Sequence, residues 1–321
     1  MDNEKIVHAN GVDLCVETFG DPTDPAILLI SGAASSMDSW EDRFCERLAA
    51  GTRYVIRYDS RDTGRSTSYK PGAPPYSVPD LAADAVGLLD ALSVRRAHIV
   101  GISMGGGIAQ RLAVERPGRV ASVTLISTSP GGPGRPGTAD DSGLPPMSEK
   151  LRAHFAQRPP APDWSDRTAV IDYRVESLRR LVGSAGFDEA RARELAGLVF
   201  DRTPDMATGM NHGLLDAGDP IRPRLSEVTA PTLVIHGTED PVFPYGHAEA
   251  LAAEITDARL LPLPGVGHQM LPETTWNAVV PTILRHTGGT HGEPSDRRVS
   301  RAAAAAASGS GSGSGDPRGW F

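Results

Sequence analysis

The chain reads as an α/β protein with a mostly parallel central sheet, helices on both faces and a helical lid insertion. Three observations point there. Apolar runs of about four to six residues recur between turn residues and helical patterns, the rhythm of βαβ units with buried parallel strands. That rhythm stops near Pro130, gives way to helical patterns alone, and resumes near Thr232. With 321 residues, 39% hydrophobic and 22% charged, the composition is that of an ordinary soluble globular protein with room for a sizeable core.

Taken in order, Val12 to Thr18 alternates and predicts an edge strand, while Ala26 to Ile30 and Tyr54 to Tyr58 predict buried strands. Pro79 to Leu92 spaces Leu81, Val86, Leu88, Leu89 and Leu92 as a helix does, with Pro79 tolerated in the first turn. Ala97 to Val100 predicts a further strand, followed by a helix over Gly105 to Glu115 that stops at Pro117-Gly118, where proline cannot continue the ladder. Val120 to Ile126 is again strand. The Gly- and Pro-crowded stretch Pro130 to Pro146 predicts loop, and Ser148 to Gln157, Asp166 to Val182, Asp188 to Phe200 and Pro204 to Leu215 predict helices of the insertion. Thr232 to His236 and Arg259 to Leu263 resume the buried strands.

The organisation expected is therefore a core in two parts, residues 1–129 and 223–287, a helical lid at 130–222, and a disordered tail at 288–321. The tail carries an alanine run at Ala302 to Ala307 and a Ser-Gly repeat from Ser308 to Gly315, and is read as an inert flexible extension. A helical insertion at this place most simply covers the ligand end of the sheet, because ligands of open α/β sheets bind beyond the carboxyl ends of the strands.

A net charge of −8 and a pI near 5.6 argue against a nucleic-acid partner, whose phosphates call for clustered Lys and Arg. Lysine occurs only at Lys5, Lys70 and Lys150 against many arginines, the skew of a GC-rich bacterial gene. Cys15 and Cys45 are expected as free core thiols rather than a bridge. No stretch has the length of a membrane span, and the N-terminal residues lack the apolar run of a signal peptide, so a cytoplasmic protein is expected.

The chemistry centres on Ser103 in Gly101-Ile102-Ser103-Met104-Gly105, between a predicted strand and a predicted helix. A serine nucleophile must stand clear of its own backbone, and a sharp strand-to-helix turn achieves this at the cost of strained torsions. Gly101 and Gly105 remove side chains that would collide there. The free N–H groups at the helix start face the reacting carbonyl, and Met104 N–H is the expected oxyanion donor, with a second at Ala33 in Ser31-Gly32-Ala33-Ala34 and Gly32 as runner-up. Downstream, Asp240 follows the strand Thr232 to His236, with Glu239 its nearest rival, and His268 lies in the Gly-rich loop after Arg259 to Leu263. His268 would take the serine proton and return it to the leaving alkoxide, and Asp240 would hold the histidine tautomer. His236 reads as structural. Asn211-His212 reads as a solvent-facing or capping pair in preference to a ligand contact. No His-Glu-x-x-His pattern occurs, and neither metal nor cofactor is expected.

With the loop Arg57-Tyr58-Asp59-Ser60-Arg61-Asp62-Thr63-Gly64-Arg65-Ser66 and the motifs at Ser103, Asp240 and His268, the chain resembles the α/β-hydrolase superfamily over about residues 6 to 286. More closely it resembles a bacterial branch that includes the aclacinomycin methylesterases. Many superfamily members carry His-Gly where this chain has Ser31-Gly32. The resemblance implies the α/β-hydrolase fold and hydrolysis of a carboxylic ester, a methyl ester on a bulky aromatic polyketide acid among them. Lactone opening, cofactor-free haloperoxidase chemistry and carbon–carbon bond hydrolysis suit the same three residues, and a ligand-binding protein on this scaffold is the non-enzymatic alternative. The partner expected is a small-molecule ester or lactone.

Overall fold

A computed structural model describes residues 4–132, 143–157 and 160–288. Eight strands form one sheet: β1 (Lys5–Ala9), β2 (Val12–Phe19), β3 (Ala26–Ile30), β4 (Tyr54–Tyr58), β5 (Ala97–Ile102), β6 (Val120–Ile126), β7 (Thr232–Gly237) and β8 (Arg259–Leu263). Their order is β1-β2-β4-β3-β5-β6-β7-β8, with β2 antiparallel to both neighbours and all later pairs parallel. The helices are α1 (Asp42–Ala49), α2 (Val78–Ala91), α3 (Met104–Glu115), α4 (Glu149–Ala156), α5 (Arg167–Arg179), α6 (Glu189–Arg202), α7 (Gly246–Glu254) and α8 (Trp276–Gly288).

Helices α2, α3 and α7 cover one face of the sheet through Leu81, Leu88, Ile108, Leu112 and Leu251, and α1 with α8 covers the other through Phe44, Leu48, Trp276, Val279 and Ile283. The middle strands are sealed on both faces, so every residue of β3 and β4 is buried. This produces continuous apolar runs rather than alternation. The second helix starts at Ser77, whose side chain and that of Asp80 form a capping box, with Pro79 in the first turn as expected.

Two strand assignments change. Val12 to Thr18 is not an edge: β1, whose residues are mostly exposed, pairs outside it, and β2 instead lies between β1 and β4. Its alternation reflects partial exposure of one face rather than a free border. Conversely β8, expected buried, forms the far edge, with only Leu263 buried.

Between β6 and β7 lie α4, α5, α6 and a 3-10 segment, Met206–Leu214, where a regular helix was expected over Pro204 to Leu215. Residues 133–142 of the expected loop and the whole Ser-Gly tail lie outside the described residues. Helices α5 and α6 pack through small clusters, Val170 with Val199 and Met206, and Ile171 and Val175 with Ala196. No helix among the described residues is long and apolar enough to cross a membrane. Cys15 and Cys45 are both buried and free.

His98 on β5 gives the core a pH dependence. Its Nδ1 lies 2.8 Å from Ser122 Oγ. Burial, with Arg53, His286 and Arg96 nearby, lowers its pKa from 6.5 to about 4. The unfolded chain therefore gains this proton first as pH falls. The stabilisation, up to about 3 kcal/mol, is fully present above about pH 6.5 and is lost as pH falls to about 4. Urea unfolding between about pH 7 and pH 4.5 is expected to show His98→Gln losing stability less steeply than the wild type; parallel slopes would count against this origin.

Candidate active site

One residue separates the end of β5 from the start of α3, and that residue is Ser103 at φ 53°, ψ −117°. An L-residue resists this conformation, which persists only where the surroundings enforce it. Here Ser103 N–H donates to Ile126 O on β6 at 2.9 Å, and Thr128 Oγ1 donates to Ser103 O at 2.8 Å. The flanking glycines are required by space: a Cβ on Gly101 would lie 2.1 Å from Gly105 O, and one on Gly105 would lie 2.3 Å from Ile30 O.

The structure brings Ser103, His268 and Asp240 together. His268 Nε2 lies 3.1 Å from Ser103 Oγ and its Nδ1 lies 2.7 Å from Asp240 Oδ2. The other oxygen, Asp240 Oδ1, accepts the backbone N–H groups of Val242 and Phe243, both at 2.8 Å. Burial pushes the Asp240 carboxyl up, but His268, His236 and the Phe243 N–H more than offset this and hold it below the ordinary value. An ionised carboxylate can only accept, so Nδ1 of His268 carries the hydrogen and Nε2 is free to take one from the serine. The Phe243 ring stands edge-on to the imidazole at 5.3 Å. His236 is fully buried beside them; its Nε2 is 2.8 Å from Phe243 O and 3.5 Å from Asp240 Oδ2, and burial lowers its pKa against the opposing pull of Asp240 and the Phe243 carbonyl.

Glu239 turns the other way. Its carboxylate accepts Ser184 N–H and Ser184 Oγ–H, each at 2.7 Å, in the segment that follows α5. The same segment holds the histidine loop, since His268 N–H donates to Leu181 O at 2.7 Å and Ala185 N–H donates to Gly265 O at 2.8 Å. A Cβ on Gly267 would lie 2.0 Å from Leu181 O, so the glycines before His268 serve this close backbone approach.

On the other side of Ser103, a Cβ on Gly32 would lie 3.5 Å from Ser103 Cβ, which seats the loop after β3 against that residue. Neither Ala33 N–H nor Met104 N–H donates to an acceptor among the described residues. Asn211 and His212 do not face solvent. Both are buried, and they join the insertion between β6 and β7 to the loops after β3 and β4: Asn211 Nδ2 donates to Asp62 Oδ2 at 2.9 Å, and His212 lies between Ala34 N–H and Arg61 O. The three-residue separation of polar groups in a short 3-10 segment hides this burial from any helical periodicity.

Arg202, at the end of α6, is a further residue of the insertion that joins it to the sheet and that the sequence patterns do not single out. Its guanidinium donates to Asp59 Oδ2 at 2.6 Å, to Asp38 Oδ2 at 3.1 Å and to Glu4, and these acids hold its pKa up against burial. Asp59 also accepts Met37 N–H and Arg65 N–H, and a Cβ on Gly64 would lie 2.1 Å from its Oδ2. The loop Asp59 to Ser66 is thus scaffold: Arg61 pairs with Asp84 through two 2.7 Å bonds, and Ser66 Oγ donates to Asp59 O. Arg174 in α5 is half-buried; burial lowers its pKa and the nearby Asp38 charge opposes that. No group of three His, Cys, Asp or Glu among the described residues could hold a metal ion. A groove of about 680 Å³ between α5 and α6, lined by Arg167, Ile171, Arg191 and Leu198, shares no residue with the Ser103 site.

Residues 25–274 match the family model described as alpha/beta hydrolase fold. The chain is 35% identical over 299 residues to rhodomycin D methylesterase DauP of Streptomyces sp. (strain C5), covering 88% of this chain and 97% of that protein. It is 35% identical over 304 residues to rhodomycin D methylesterase DnrP of Streptomyces peucetius, with the same coverage. Among solved structures, a hydrolase from Pseudomonas aeruginosa PA01 superposes with a TM-score of 0.66 at 26% identity, covering 89% of this chain and 99% of that one.

Replacing Arg202 strands two buried carboxylates beneath the loop that leads from β3. Arg202→Met is expected to cost about 3–5 kcal/mol in urea unfolding, because removing one partner of a buried ion cluster leaves uncompensated charge. A loss below about 1 kcal/mol would show that the cluster does not tie α6 to the loops that hold Asp38 and Asp59.

Proposed function

The chain belongs to the alpha/beta hydrolase fold family and is a carboxylic ester hydrolase, and from that premise we propose that it cleaves the methyl ester of a bulky aromatic or polyketide acid through an acyl-enzyme on Ser103. One observation carries the mechanism: the unbroken line of hydrogen bonds from Ser103 Oγ through His268 to Asp240 Oδ2. The substrate class draws on the two methylesterases that share 35% of their aligned residues with this chain.

A serine hydroxyl is a poor nucleophile at neutral pH, so His268 Nε2 removes its proton as Oγ attacks the ester carbonyl. The carbonyl oxygen becomes an oxyanion facing the N–H groups of Met104 and Ala33, and Asp240 stabilises the imidazolium. His268 then passes its proton to the departing methoxide, which leaves as methanol while the acyl group stays on Oγ. Water enters, gives a proton to Nε2 and attacks the acyl carbon. When the second tetrahedral intermediate collapses, the proton returns to Ser103 Oγ and the free acid departs. The half-reactions use the same donors because each passes through a tetrahedral oxyanion.

Ser103→Ala is expected to lower methyl-ester turnover by about 10⁴-fold or more, and Asp240→Asn by about 10³- to 10⁴-fold through the wrong tautomer. An organophosphonate probe should add its mass to Ser103 in the wild type and not in Ser103→Ala. Retention of wild-type turnover by purified Ser103→Ala would falsify the assignment. Among methyl esters of graded acid size, kcat/KM should rise by about tenfold or more from small aliphatic to polycyclic aromatic acids, since extra apolar contact favours the transition state. A flat series, or faster opening of lactones, would replace the methyl-ester reading.

A further inference from the structure

We propose that His212, a lid residue, is the positioning residue of the oxyanion loop, fixing the peptide that joins Ala33 to Ala34 and with it the direction of the Ala33 N–H. This rests on the Ser103 acyl-transfer reading and adds the group that holds one of its two donors.

The loop from Ser31 to Ser36 needs such a support. Ala34 sits at φ 54°, a left-handed conformation that costs an alanine about 1–2 kcal/mol. The loop's own closure is weak, three long bonds: Ser35 N–H to Gly32 O at 3.3 Å, Ser35 Oγ–H to Ala33 O at 3.3 Å and Ser31 Oγ–H to Ser36 O at 3.2 Å. The shorter bond comes from outside: Ala34 N–H donates to His212 Nδ1 at 2.9 Å. Gly209, in the same lid segment, permits this approach, because a Cβ there would already lie 3.3 Å from Ala34 Cβ.

The two partners of the imidazole determine its tautomer. His212 Nε2 lies 2.7 Å from Arg61 O, and a carbonyl only accepts, so Nε2 carries the hydrogen. Ala34 N–H only donates, so Nδ1 is bare. Both contacts require the neutral ring. Burial lowers the pKa of His212, outweighing the Arg61 carbonyl and the Asp62 charge that raise it. The ring is also held in place from behind: Asn211 Oδ1 accepts Gly72 N–H at 2.8 Å, Asn211 Nδ2 donates to Asp62 at 2.9 Å, and Thr208 Oγ1 donates to Asp62 O at 2.9 Å.

Fixing the plane of the 33–34 peptide leaves the preceding peptide only the φ and ψ rotations of Ala33, so the Ala33 N–H is aimed before substrate arrives. An oxyanion exists only along the reaction, so the contribution falls on kcat and not on ground-state binding.

The test compares three substitutions on a chromogenic ester and reads the nitrogen spectrum of the wild-type imidazole. His212→Leu, which has no acceptor, should lower kcat by about 10- to 100-fold with KM changed less than about threefold. His212→Asn places an amide oxygen where Nδ1 was and should recover kcat to within about fivefold, whereas His212→Gln, whose amide reaches Arg61 O instead, should stay low. In the wild type near neutral pH, ¹⁵N chemical shifts should report a neutral ring protonated at Nε2. A charged or Nδ1-protonated ring, or equal kcat in folded Asn, Gln and Leu variants, would overturn the proposal. Should His212→Leu not fold, the Asn and Gln pair and the wild-type spectrum still decide. Failure of the Ser103 reading would appear separately, as turnover by Ser103→Ala, and would leave the imidazole spectrum unaffected.

Discussion

Turning from β5 into α3 within a single residue forces Ser103 to φ 53°, and the rest of the site is arranged around that bend. Strain of this kind amounts to about 1–3 kcal/mol. It is offset by α3, in which every residue from Met104 to Val114 is buried, so straightening the elbow would drag a packed helix off the sheet. The same bend explains why the neighbours are small. With Gly101 against Gly105 and Gly105 against the carbonyl of Ile30, β3, β5 and α3 meet backbone to backbone, and the loop leaving β3 lies beside the hydroxyl. Parallel register then does the rest: β3, β5, β6, β7 and β8 all deliver their following loops to one end of the sheet, which is why Ser31 to Ser36, Ser103, Asp240 and His268 meet there.

The insertion between β6 and β7 reaches this site by directional contacts more than by apolar burial. Its own clusters are a few residues each, against two large ones that sandwich the sheet. Among its joints to the rest of the chain are the backbone exchange of Leu181 and Ala185 with the His268 loop, the buried guanidinium of Arg202 on Asp59 and Asp38, the polar pair Asn211 and His212 on Asp62, Arg61 and Ala34, and the carbonyls of Ala217 and Asp219 on Arg111. Hydrogen bonds to backbone fix position to within tenths of an ångström, whereas apolar packing alone tolerates sliding. The insertion therefore holds backbone in the loops on either side of Ser103, through Leu181 at one and His212 at the other.

Most of the sheet was legible because strands buried on both faces print as unbroken apolar runs, as in Ala26–Ile30. What escaped had a different environment. β1 is exposed and short, so its presence outside β2 left no apolar run, and β8 carries Pro262 and exposed Arg259 on an edge that reads like the core strands. The elements α1, α7 and α8 were not singled out, although Phe44, Cys45 and Leu48 in α1 do follow a helical spacing. Ser103, Asp240 and His268 were legible since each stands in a short local pattern just past a strand. In three dimensions Asp240 and Glu239 part, Asp240 meeting His268 and Glu239 meeting Ser184. Arg202 carries no local signal, and His212 stands out only as half of a polar pair that reads as solvent-facing: their partners lie 143 and 151 residues away in sequence, and nothing local marks a residue whose meaning is a distant contact.

In the proposed mechanism the line from Ser103 to Asp240 acts on a carbonyl and a leaving oxygen, and those atoms are alike in an open ester and a lactone. They differ in whether the alkoxide that accepts the proton from His268 drifts away or stays tethered to the acyl group, which the three residues do not sense. Selection must come from whatever bounds the acyl and alcohol parts, a role proposed for the helical insertion between β6 and β7. Yet the same insertion supplies Leu181 to the His268 loop and His212 to the oxyanion loop. On the mechanism proposed above, an insertion reshaped for another substrate must keep those backbone and imidazole contacts in place, or it forfeits the alignment on which the chemistry depends. Substrate fit and rate would then be coupled through particular atoms, and the freedom to change specificity would lie in positions that touch neither loop.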